Sequence, residues 1–178
     1  MAVINNKQRE ELHKAIWSIA DDLRGSVDGW DFKQYVLGTM FYRYISENLT
    51  NYINEGEHAA GNADFDYAKM SDSDAESARE SLVEEKGFFI LPSELFCNVR
   101  AKAPSDDNLN ETLEKVFRHI EESAQGSISE DDFKGLFDDF DVNSNKLGAT
   151  VAKRNDKLVK LLDGVGDRFC GKSCVSDI

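Results

Sequence analysis

Proline is almost missing from this 178-residue chain: only Pro92 and Pro104 occur, and they are not adjacent. So few helix breakers, with many Glu, Lys, Ala and Leu, favour a helical chain. Basic charge is also short, with 21 Lys and Arg against 34 Asp and Glu and a net charge of −13. Such a field repels phosphate, whereas a free-standing nucleic-acid binder carries a basic face. Any service to DNA therefore calls for a complex, through a local patch or a partner subunit. Cysteine is scarce: Cys97, Cys170 and Cys174 are an odd number and no disulfide framework, which fits a reducing, cytoplasmic setting. No apolar run reaches the length of a membrane span, and the start MAVINNKQREE lacks the apolar core of a signal peptide.

What is present reads as one domain, or a domain with a small appendage. It is long enough to bury a core without disulfides or metal. Leu12, Ile16, Ile19 and Leu23 recur at helical intervals over Glu10–Leu23, and Gly25 suits the end of that helix. Asp28 can cap a second helix running to about Asn54. That helix is aromatic almost all round (Trp30, Phe32, Tyr35, Phe41, Tyr42, Tyr44), so it reads as the central helix, buried on most sides. A polar connection, Asn54 to Asp74, leads to a polar helix over Asp74–Lys86 that Gly87 ends. Phe88–Leu91 is a buried extended piece or a strand of a small ribbon, and Pro92 suits the first turn of a helix.

Leu109, Leu113, Val116 and Ile120 mark the next helix. Ser129 caps a short one ending near Asp138, and a last helix covers roughly Leu147–Leu162, closed by Gly164 and Gly166. The expected architecture is an all-α, multi-helix bundle, with at most one short β-ribbon.

Several motifs invite a chemistry and fail it. Asp139, Asp141 and Asn143 imitate the first ligands of a calcium loop. In that register position 6 is Ser144 and position 12 is Thr150; starting at Asp141 they are Lys146 and Ala152. Neither register supplies the turn glycine or the closing glutamate, so Asp141, Asn143, Ser144 and Asn145 read instead as caps on backbone amides. Gly164-Val165-Gly166 follows a helix rather than a strand, which argues against a dinucleotide motif. His13, His58 and His119 lack zinc spacing, and Cys170 and Cys174 have the wrong gap and no second pair. No metal site is expected.

Two groups of residues remain as candidates. Lys153, Lys157 and Lys160 share one side of the last helix and could track a phosphate backbone. The alternative is a solvated face with i,i+4 pairing, such as Asp156 with Lys160. Arg24, Tyr42 and Arg43 are candidate interface residues. Arg43 sits among aromatics, where an ion pair or a subunit contact would explain it, and the aromatics themselves suit either core or interface.

Three stretches together carry a resemblance: LRGSVDGWDFKQYVLGTMFYRYIS (residues 23–46), FFILPSELF (88–96) and FKGLFDDFDVNSNKLG (133–148). They resemble the N-terminal helical domain of the modification subunit of type I restriction–modification systems, a DNA adenine-N6 methyltransferase. The resemblance implies residues 1–170 as that helical domain and 171–178 as the start of a linker to a methyltransferase domain. It implies S-adenosylmethionine as cofactor of the full-length subunit. The implied partners are a specificity subunit, a second modification subunit, a restriction subunit and, within that complex, double-stranded DNA. In this family an Asn-Pro-Pro-Phe/Tyr motif holds the adenine flipped from the stack. This chain has no adjacent prolines, so the resemblance assigns it no catalytic or cofactor-binding residue. It implies an assembly domain that mediates subunit contacts and closure around DNA. A stand-alone helical interaction module or regulator is the alternative.

Overall fold

Seven α-helices and three single turns of 3-10 helix follow one another in the computed structural model, which describes residues 29–168; none of these residues forms a strand. The expected helix over Glu10–Leu23, Gly25, Asp28, the candidate Arg24 and the stretch Cys170–Ile178 lie outside the described residues. The helices are α1 (Gly29–Ala59), α2 (Asp72–Glu76), α3 (Arg79–Lys86), α4 (Phe96–Lys102), α5 (Leu109–Ser123), α6 (Glu130–Phe133) and α7 (Val151–Arg168). The all-α expectation holds.

At 31 residues, α1 is the longest helix and runs past the expected stop at Asn54. Tyr35, Thr39, Tyr42, Ser46 and Leu49 recur along it at steps of three and four and are all buried, the stripe that a helix lays on a core. It packs against α4 and α7, and α7 packs in turn on α5. Burial is one-sided rather than all round: Leu37 and Tyr44, seven positions apart, are each 64% exposed.

The core is built largely of rings. Phe117 of α5 stacks on Phe137 at 4.2 Å between centroids, and Phe140 lies 5.0 Å away. Tyr42 meets Phe96 and Phe117 edge-on at 5.6 and 5.5 Å. Each such pair contributes about 0.5–1.5 kcal/mol beyond its area burial. The segment that imitates a calcium loop is therefore an apolar strap, with Phe133, Phe137, Phe140, Val142 and Leu147 buried. Its helix stops at Phe133, short of the expected Asp138, because Gly135 takes a left-handed φ of +70°.

Three buried tyrosines tie irregular segments to the bundle, each through its hydroxyl. Tyr35 donates to the Asp141 carbonyl (2.9 Å), Tyr42 to that of Glu94 (2.5 Å) and Tyr67 to that of Ile90 (2.8 Å). These bonds explain why Phe88–Leu91 needs no ribbon. Its backbone is extended, but side chains satisfy it: Ser123 Oγ accepts from the Phe89 amide at 2.9 Å, and Tyr67 serves Ile90. The β-ribbon is thus withdrawn for the described residues.

The expected helix over Asp74–Lys86 is two helices, α2 and α3, separated at Ser77 and Ala78. Ser77 Oγ donates to the Asp74 carbonyl at 2.6 Å, the local side-chain competition that interrupts helices. Gly87 does end α3, with φ +82° and its amide on the Val83 carbonyl.

Gly56, near the end of α1, has nothing within 4 Å of where a Cβ would stand. Gly56→Ala is expected to stabilise the chain by about 0.5–1 kcal/mol by removing backbone entropy from the unfolded state. Denaturant titration checks this; a lower midpoint would contradict it.

Candidate functional site

Of the described helices, α7 carries the most basic side chains. Within α7 five side chains are basic and three acidic, in a chain of net charge −13. Asn155, Leu158, Leu161, Leu162 and Val165 form its buried face. Lys153, Lys157 and Lys160 lie on another, Lys153 and Lys160 exposed and Lys157 half-buried. Lys160 Nζ meets Asp156 Oδ2 at 2.9 Å, the i,i+4 pair read from the sequence.

The start of α7 is set by the strap. Thr150 Oγ1 accepts from the Lys153 amide at 3.3 Å. Gly148 lies so close to the first turn that a Cβ there would stand 2.6 Å from Lys153 Cβ. Arg154 Nη1 donates back to the Gly148 carbonyl at 3.2 Å. The helix thus begins four residues later than expected, with Leu147 buried in the strap before it.

The roll of α7 against α5 is fixed by amides. Asn155 Oδ1 accepts from the Asn110 amide (3.1 Å), and Asn155 Nδ2 donates to the Asp107 carbonyl (2.6 Å). Asn110 Nδ2 donates to Asn143 Oδ1 (2.6 Å), and Asn143 Nδ2 to Glu114 (2.9 Å). Asn110 Oδ1 is left buried without a partner, but the directional bonds of the other amide groups hold α7 to α5 in one roll and so determine which way the lysines face. Of the expected caps, Asp141 Oδ1 takes the Asn143 amide at 2.9 Å and Ser144 Oγ the Lys146 amide at 3.3 Å, but the Asn143 side chain meets side chains instead, and Thr150 rather than any of these residues caps α7.

The far end of α7 corrects an expectation. Gly164 and Gly166 lie inside the helix, which continues to Arg168, and do not close it. Gly166 is there for close approach: a Cβ on it would stand 2.3–2.4 Å from the Arg100 guanidinium. Arg100 Nε in turn meets Asp163 Oδ1 at 3.0 Å.

Arg43 reaches the same end from α1. Its Nη1 donates to the Val165 carbonyl at 2.6 Å and the Gly166 carbonyl at 3.2 Å, while Nε holds Glu47 at 2.6 Å. Both carbonyls lie on the last described turn of α7, so one guanidinium of α1 clamps that turn. Tyr42 and Arg43 therefore sit inside the chain's own core, where α1, α4 and α7 meet, and Tyr42 exposes no surface. Among the aromatics of this helix whose side chains are described, Tyr44 is the most open to solvent.

Two residues escaped the sequence reading. Arg100 and Lys102 belong to α4, FCNVRAK, which has no acidic side chain, and α4 packs on α7. The two helices with net positive charge thus lie side by side. The signal was the acid-free heptapeptide; the packing that makes it count was not visible.

A further titratable contact joins Glu94 to His119, through Glu94 Oε1 and His119 Nδ1. Burial pushes the Glu94 carboxyl above its ordinary range, while the bond to His119 pulls it down. The pair clasps the turn at Pro92–Glu94 to α5. Among the described residues no group of His, Cys, Asp and Glu is arranged to hold a metal ion, and no helix is long and apolar enough to cross a membrane.

Comparison with known proteins assigns the fold. The family model described as the HsdM N-terminal domain matches residues 12–165. The chain belongs to that family. As an HsdM N-terminal domain it is 44% identical over 166 residues to the type I restriction enzyme MpnII methylase subunit of Mycoplasma pneumoniae, covering 89% of this chain and 30% of that protein. The crystal structure of a type I restriction–modification system methyltransferase subunit from Streptococcus thermophilus superposes with a TM-score of 0.69 at 26% identity. That match covers 88% of this chain and 34% of the other. This HsdM N-terminal domain thus spans about a third or less of the length of each relative. It is a domain of the kind carried by type I restriction–modification methylase subunits.

Proposed function

We propose that the chain is the non-catalytic assembly domain of a type I restriction–modification DNA methyltransferase subunit. In this reading the full-length subunit transfers a methyl group from S-adenosylmethionine to the N6 of adenine, within a complex that also holds a second modification subunit, a specificity subunit and a restriction subunit. The family match over residues 12–165 carries the reading. The physics agrees with a supporting role: the polar groups described above are spent on packing and capping.

DNA contact within the complex falls to Lys153, Lys157 and Lys160, assisted by Arg100 and Lys102 on the neighbouring helix. An overall charge of −13 disfavours DNA binding by the chain alone, so the stripe acts once partner subunits supply most of the basic surface. Charge reversal of the three lysines in the full complex tests this. Each lost phosphate contact lowers the log–log salt slope of DNA affinity by about 0.9, so the triple variant is expected to lose roughly 2–3 from that slope. An unchanged slope and affinity would remove the stripe from the DNA path. In the same reading, the chain mixed with S-adenosylmethionine and duplex DNA gives no methyl transfer.

A further inference from the structure

Towards its C-terminal end α1 leaves a trough between itself and α3, with a volume of about 540 Å3. Phe65, Met70 and Leu82 contribute an apolar floor, while the lips carry Glu55, Glu57 and Glu85 and no Lys or Arg lines the space. At one end Tyr52 Oη donates to Glu85 Oε2 at 2.6 Å and ties the two walls together. No residue of α4 or α7 takes part, so this is a different face from the lysine stripe.

Gly56 supplies a second, independent observation. It lies in the α1 wall, where glycine costs the helix stability, and it has no close contact that would require the missing Cβ. It lines the trough with no side chain of its own.

We infer that the trough docks a basic amphipathic helix of a partner protein. Two helical walls present the ridges and grooves that accept a third helix, which buries apolar residues spaced at i and i+4. The three carboxylates around an apolar floor select Lys or Arg on the flanks of that helix and steer its approach. The same carboxylates repel phosphate, which excludes DNA as occupant. A small molecule would be poorly enclosed, because the trough is open along its length, whereas ligand pockets bury most of their ligand. The inference does not depend on the DNA-directed reading above.

The test uses the full chain, labelled with nitrogen-15, and two synthetic helices of roughly five turns. One has leucine on its apolar face and lysine flanks; in the other glutamate replaces the lysines. The lysine helix is expected to bind and to shift the amides of Gly56, Ala78 and Ser81; the glutamate helix is not. Gly56→Phe fills the trough from a position whose Cβ points into open space, so the fold is retained and all charges stay. It should weaken binding at least about tenfold. The triple variant Glu55→Gln, Glu57→Gln, Glu85→Gln should do the same at low salt. Absent binding, shifts confined to other faces, equal binding of the glutamate helix, or unchanged affinity in Gly56→Phe would each overturn the proposal.

Discussion

Replacing Arg43 by methionine is expected to lower the stability of the chain by about 2–4 kcal/mol, the cost of removing a buried charged donor and stranding its acceptors. Methionine keeps most of the side chain's length and apolar contact, so the loss reports on the guanidinium. Three acceptors lose their partner: the Val165 and Gly166 carbonyls and Glu47. Glu47 is partly exposed and regains water, so the buried contact with the two carbonyls of α7 bears most of the cost. For a chain of this length the melting temperature should fall by roughly 5–15 °C. Arg43→Lys should rescue only in part, because an ammonium cannot serve the carbonyls and Glu47 with one planar fork. Glu47→Gln should cost less than about 1 kcal/mol. Thermal unfolding of the three variants decides the matter. A shift below about 2 °C for Arg43→Met would show that Arg43 does not hold α7 to α1.

The second large effect is expected at Gly87. Alanine there meets two obstacles. The φ of +82° is a left-handed conformation that costs a residue with a Cβ about 1–3 kcal/mol. The Cβ would also stand 2.0 Å from Ser129 Oγ and 2.6 Å from Ser129 Cβ, a contact that cannot persist. Ser127 Oγ donates to the Gly87 carbonyl at 2.8 Å, so moving this strand of chain breaks that bond as well. The total is expected near 3–4 kcal/mol, at the upper end for a single substitution. Gly61→Ala is the control. It has a φ of +101° with nothing within 4 Å, and should show the backbone part alone. Adding Ser129→Gly to Gly87→Ala should recover the steric part, read as a coupling in a double-mutant cycle of urea midpoints. Equal losses for the two alanine variants, with no recovery, would place the whole effect in the backbone.

The elements that were legible in the sequence are those whose apolar spacing is strong. Leu109, Leu113, Val116 and Ile120 fall on one face of α5. The presence of α1 was legible as well, but not its one-sided burial, because aromatics all round the helix hid that Tyr44 faces solvent. The end of α3 was legible because Gly87 answers a purely local backbone demand. The passage of α7 through Gly164 and Gly166 was not, because Gly166 answers the Arg100 side chain, from a distant part of the sequence. The extended run Phe88–Leu91 suggested a strand, since its periodicity cannot say whether backbone or side chains will satisfy its amides; Ser123 and Tyr67 do so here. For the candidate site, the lysine face of α7 and the Asp156–Lys160 pair came directly from helical spacing. The role of Arg43 required knowing that Val165 and Gly166 of α7 lie beside α1. The trough between α1 and α3 had no sequence signature, because its lining comes from several separated segments.

The central claim is that this domain supports methyl transfer without performing it. The direct measurement is incorporation of radiolabelled methyl groups from S-adenosylmethionine into target DNA. The intact complex is compared with one whose modification subunit lacks the region matching residues 12–165, and with the chain by itself. The account predicts transfer by the intact complex, none by the chain, and loss of transfer together with loss of subunit assembly in the truncated complex. Methyl incorporation by the chain alone, or full assembly and activity of the truncated complex, would contradict it.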